Sequence, residues 1–159
     1  MADAPIMDIF EPGDSTCLIC CDLQDYQEFM AQQMHSLDYK VHIGSNFEDI
    51  IAKLTATVYD VILLFETIED CDLESNEALG HLVNMDLEKR HDQFVCLVGP
   101  GVRTNDEMIA FVLSVDMTMS IHDVANMKTL LRRAVARYRD FHGLYKEILG
   151  SEGLKSAHD

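Results

Sequence analysis

The sequence predicts a three-layer α/β sandwich, with one five-stranded parallel sheet, helices on both faces, and a last helix that outlasts the sheet. Three observations carry this. Strand-like apolar runs alternate with helical segments five times, with no hairpin signal between them, and such alternation pairs strands in parallel through right-handed crossovers. Three of the runs, CLICC, VILLF and FVCLV, are continuously apolar, as expected of strands covered on both faces. The length of 159 residues suits one domain with a substantial core.

Residues 1–15 hold two of the three prolines and read as an N-terminal arm. Cys17 to Cys21 is the first strand, and Asp22 is placed to cap the helix Leu23–Leu37, whose apolar residues Tyr26, Phe29, Met30, Met34 and Leu37 have helical spacing. Tyr39 to Ile43 alternates as a strand does. Ser45-Asn46-Phe47-Glu48 has the form of a capping box, opening a helix to about Ala56 with Ile50, Ile51 and Leu54 inward. Val61 to Phe65 is the third strand, and the acidic segment 66–75 leads to a helix at Asn76–Asn84. Phe94 to Val98 is the fourth strand, ending in Gly99-Pro100-Gly101. Thr104-Asn105-Asp106-Glu107 reads as a second capping box, for a helix through Met108, Phe111, Val112 and Val115. Met117 to Met119 is the fifth strand, and Ser120 or Asp123 caps the last helix.

A net charge of −16 repels phosphate backbones and anionic lipid, so neither nucleic acid nor a membrane is expected as a partner. No apolar run approaches the roughly 18 residues of a membrane span. The N-terminus lacks a basic segment followed by an apolar one, so the cytoplasm is the expected location. The five cysteines are odd in number and four lie in apolar runs, which fits reduced, packed thiols better than a disulfide framework. Cys17 and Cys20 have CxxC spacing, but within a strand they face opposite sides.

Few residue sets suggest chemistry. Glu66, Glu69, Asp70, Asp72 and Glu74 are acidic without the spacing of a calcium loop. The histidines lack zinc-ligand spacing, and no Walker loop, dinucleotide fingerprint or Ser-His-Asp set is present. Gly99-Pro100-Gly101 could present amides to a phosphate, yet a tight strand-to-helix turn needs the same residues. No catalysis, metal or cofactor is expected. In a sheet of this kind ligands bind beyond the C-terminal strand ends, at the topological switch point.

Over residues 16–138 the chain resembles the receiver domains of bacterial two-component signalling, in element order, element lengths and hydrophobic pattern. CLICCD resembles the first strand with its acidic end, and SLDYKVHIGSNFEDIIAKLTATVYDVILLF resembles the second βα unit and third strand. The resemblance implies a flavodoxin-like (βα)5 fold and five working positions. An acidic pair after strand one holds Mg²⁺, an aspartate ending strand three accepts the phosphoryl group, and a hydroxyl and a lysine end strands four and five. Here the acidic pair falls on Cys21 and Asp22, the acceptor on Phe65, the hydroxyl on Gly99 and the lysine on Ile121. A phenyl ring is no nucleophile, and a thiol is a poor ligand for a hard cation. Glu66 lies one residue on, where a strand points its side chain to the other face. The expectation is a degenerate, non-phosphorylatable signalling domain that works by protein contact. The competing class is a small-molecule or nucleotide-binding module, or an enzyme, using the same crevice.

The last helix suggests the contact. Val124, Met127, Leu131, Ala134, Tyr138, Phe141, Tyr145 and Ile148 recur at alternating spacings of three and four, a heptad stripe. From Asp123 to Leu149 that helix is about 40 Å long at 1.5 Å per residue, about twice the length of a strand beneath it. Tyr138, Phe141, Tyr145 and Ile148 are therefore interface candidates, expected to meet their counterparts in a homodimer. The competing cover is the arm, through Ile6, Ile9 and Phe10. Arg132, Arg133, Arg137, Arg139 and Lys146 form the helix's basic side. This divides the chain into an arm (1–15), a receiver-like domain (16–138), a helix extension (139–150) and a disordered tail (151–159). An unidentified signalling protein is the other expected partner.

Overall fold

A computed structural model describes residues 7–158, except the side chains of residues 145, 146 and 149–158. Five strands alternate with helices: β1 (Ser15–Cys20), α1 (Gln24–Ser36), β2 (Tyr39–Gly44), α2 (Phe47–Ala56), β3 (Val61–Phe65), α3 (Glu77–Val83), α4 (Leu87–His91), β4 (Phe94–Gly99), α5 (Glu107–Leu113) and β5 (Met117–Ser120). A 3-10 segment (Ile121–Asn126) and α6 (Met127–His158) complete the order. All strands pair in parallel, in the order β2-β1-β3-β4-β5. Every residue of β3 and β4 is buried, which is why both read as unbroken apolar runs. Two compact units are present, one up to Lys128 and one from Thr129 onward.

Helix starts differ from the expected ones by a residue or two. Asn46 caps α2 by accepting from the Asp49 amide at 2.8 Å, and Asp106 caps α5 by accepting from the Ile109 amide at 3.1 Å. Asn and Asp are strong caps, and the hydroxyls expected in that role are engaged elsewhere. Ser45 Oγ accepts from Gln27 Nε2 at 3.0 Å. Thr104 donates to Asp123 and accepts from the Ser120 amide. Asp22 caps nothing; Leu23 holds the α1 cap position without a side-chain bond. Ser120 caps the 3-10 segment through the His122 amide at 3.2 Å, so α6 begins only at Met127.

The arm packs on the β2 edge. Met7 bridges His42 in antiparallel sense, and Phe10 stacks on the His42 ring with centroids 3.9 Å apart. His42 Nδ1 lies 2.8 Å from the Tyr59 hydroxyl, and Asp8 Oδ2 accepts from the Val41 amide at 2.8 Å. Phe10 is thus committed to β2, against the competing reading in which it covers the last helix. Ile9 is exposed, and Ile6 lies outside the described residues. An arm that occupies an edge strand also blocks unwanted pairing there.

Candidate functional site

Chain order reverses between β1 and β3, so the crevice that such sheets use opens between the segments following these strands. Side chains fill it. Phe65 is 3% exposed, and its ring meets that of Tyr26 at 5.5 Å between centroids. Cys21 is fully buried, and burial pushes its thiol up to about 12, against a smaller opposing effect of the Leu23 amide. Asp22 is exposed but accepts from the Glu69 amide at 2.9 Å, stitching the two segments together. Glu69 in turn accepts from the Phe47 amide at 2.8 Å, at the start of α2. Glu69 and Asp70 both have positive φ, 54° and 57°, in a tight turn that brings Ile68 back against Cys71.

Glu66 is the residue whose role the sequence conceals. It follows β3, donates its amide to the Val98 carbonyl at 2.9 Å, and is only 8% exposed. Its Oε1 accepts from the Gly101 amide, so the carboxylate lies on the segment that ends β4. Two glycines make the room. A Cβ on Gly99 would stand 2.3 Å from Glu66 Cγ and Oε1, and one on Gly101 would stand 2.9 Å from Oε2. Buried Asn76 fixes the turn from below, donating to the Phe65 carbonyl at 3.0 Å and the Glu66 carbonyl at 3.3 Å while capping α3 at Leu79. The wide spacing of Asn76 from its partners left no local signal of this.

Gly99 is buried, and Ile121, half-buried, opens the 3-10 segment. Neither supplies a hydroxyl or an ammonium group. Among the described residues, no three His, Cys, Asp or Glu side chains are placed to hold a metal ion. A buried thiol, a phenyl ring and an aspartate already bonded to an amide do not fit the oxygen-rich octahedron that Mg²⁺ requires. Cys17, Cys20 and Cys96 are likewise buried, and burial raises each thiol.

The helical candidates are distributed differently from the expected stripe. Leu131 and Val135 are buried while Ala134 is only half-buried, so the buried series Met127, Leu131, Val135 follows i, i+4 spacing rather than a heptad. Tyr138 is half-buried and stacks on His142 at 5.2 Å. Phe141 is 70% exposed, and Leu144 and Ile148 are exposed with it. The Tyr145 side chain lies outside the described residues. The helix backbone continues to His158, past residue 150. A second exposed apolar group, unforeseen from sequence, lies on α5: Met108, Phe111 and Val112.

No protein-family model matches the chain, and no curated protein matches it. Its fold is that of receiver domains. A putative response regulator from Chloroflexus aurantiacus superposes with a TM-score of 0.63 at 10% identity, covering 77% of this chain and 98% of that one. The signal receiver domain of a putative Luxo repressor protein from Vibrio parahaemolyticus gives 0.62 at 12% identity, covering 79% and 93%. The receiver domain of a sensor histidine kinase from Pseudomonas aeruginosa, which has a magnesium ion in its active-site cleft, gives 0.61 at 15% identity over 78% and 99%. Among the described residues no helix is long and apolar enough to cross a membrane.

Proposed function

We propose that this chain is a receiver-like signalling domain that takes no phosphoryl group and acts by protein–protein contact, as a homodimer through the C-terminal half of α6. One observation carries the reading: β3 ends on a buried phenyl ring, and the next carboxylate, Glu66, is folded onto Gly101 rather than left open to a phosphodonor. Acyl phosphate formation needs an accessible carboxylate nucleophile with its charge neutralised as it reacts. Exposed Phe141 and Ile148 support the homodimer, since apolar side chains of that size favour a partner over water.

Incubation with acetyl phosphate and Mg²⁺, followed by intact mass spectrometry, tests the chemical half. The expected spectrum is unchanged; a stoichiometric phosphoryl adduct on Glu66 or Asp22 overturns the reading.

A further inference from the structure

We propose that the exposed end of α6 in one copy seats on α5 of a second copy. The inference rests on the homodimer reading and names the surface that receives the helix. Charge is divided unevenly along the chain. Residues 127–158 hold seven of the 12 Lys and Arg but three of the 28 Asp and Glu, a net +4. Residues 1–126 hold five basic and 24 acidic residues, a net −19. Two α6 helices laid against each other bring like charge to like charge. One α6 laid on another copy's body brings opposite charges together, which steers association and fixes the partner.

Among the described residues of the body, α5 carries an apolar group suited to it. Met108, Phe111 and Val112 stand at i, i+3 and i+4 on α5, a single face, and are 71%, 83% and 65% exposed. Asp106 and Glu107 lie in or beside the first turn of that helix. On α6, Phe141, Leu144 and Ile148 stand at i, i+3 and i+7, again along one face, and are exposed. Exposed Arg133 and Arg137 precede Phe141 by eight and four residues, along the edge of the same stripe. Both surfaces thus pair an apolar centre with a charged margin, acidic on α5 and mainly basic on α6, where the basic residues outnumber Asp140 and Glu147. Each copy carries both halves of the contact.

Light scattering and sedimentation at micromolar protein test this, using wild type, Phe111→Glu and Phe141→Glu. Both positions are exposed, so far-UV circular dichroism should match wild type, and the thermal midpoint should fall only by what loss of the dimer removes. Wild type should be dimeric, weakening as salt rises from about 0.05 to 0.5 M while the Debye length shrinks. Each variant alone should be monomeric. An equimolar mixture of the two, one of them tagged, should associate again, because the intact α6 of one meets the intact α5 of the other. If Phe111→Glu stays dimeric while Phe141→Glu does not, or if the mixture fails to associate, α5 is not the receiving surface and the homodimer reading survives. If wild type is monomeric, or Phe141→Glu remains dimeric, both fall.

Discussion

Replacing Gly99 by serine places a hydroxyl where the receiver resemblance expects one, and it should be destabilising here. The new Cβ would lie 2.3 Å from Glu66 Cγ and 2.4 Å from Cδ, far inside van der Waals contact. Since the clash reaches Cγ as well as the carboxylate tip, the glutamate must leave its seat altogether and surrender the Gly101 amide. A hydrogen bond to a charged group contributes about 1.5–3 kcal/mol. Gly101 is exposed and water can take over its amide, so the lower figure, about 1.5 kcal/mol, applies. For a chain of this size that lowers the thermal midpoint by about 3–6 °C. Glu66→Ala loses the same bond and should cost a similar amount. The double variant should therefore be about as stable as either single one, with a coupling energy near 1.5 kcal/mol. Urea unfolding of all four proteins measures the cycle. Additive losses, or a Gly99→Ser protein as stable as wild type, would refute the claim that Glu66 and Gly99 share one space.

Two further perturbations probe other parts. Phe65→Asp should not confer phosphorylation, since Gly99 and Ile121 still lack the hydroxyl and lysine. It should lower stability by about 3–5 kcal/mol through loss of the buried ring, with the buried carboxylate adding to the loss; a stable variant that gains phosphoryl mass contradicts both statements. At Asp8, burial raises the carboxyl pKa, but the Val41 amide and the His35 imidazole together outweigh it and hold the group below its usual 3.8. A depressed folded value contributes stability above the unfolded pKa and loses it as pH falls through the folded one. The arm should accordingly come off β2 below about pH 4, seen as loss of amide protection at Asp8, and Asp8→Asn should abolish that acid step. Protection unchanged at about pH 2 would show that Asp8 does not hold the arm.

Local chemistry alone determined the strands and their parallel pairing, with C-terminal ends within one residue of the observed ones and the end of β3 on Phe65. Burial on two faces forces an apolar run, so VILLF could only be an inner strand, and its last residue had to be Phe65. The absence of a nucleophile at that position was therefore legible before any coordinates. The sheet's layout likewise follows from alternating periods along the chain. What the tertiary structure decided are matters of long range. Asp22 was placed to cap its own helix and instead bonds the amide of Glu69, 47 residues away. Strand alternation turns Glu66 to the face opposite Phe65, but the chain bends after Phe65 and the carboxylate settles on the Gly101 amide, in the space that Gly99 and Gly101 leave. Phe10 found His42 rather than the last helix, since the β2 edge offered both a stacking ring and unpaired backbone. The stripe on α6 is buried at Leu131 and exposed at Phe141 and Ile148, as helix length against strand length predicts, but Val135 rather than Ala134 is the buried residue after Leu131. Periodicity specifies which face of a helix is apolar and length how much of it a strand can cover; which of two neighbouring positions is buried is settled by packing.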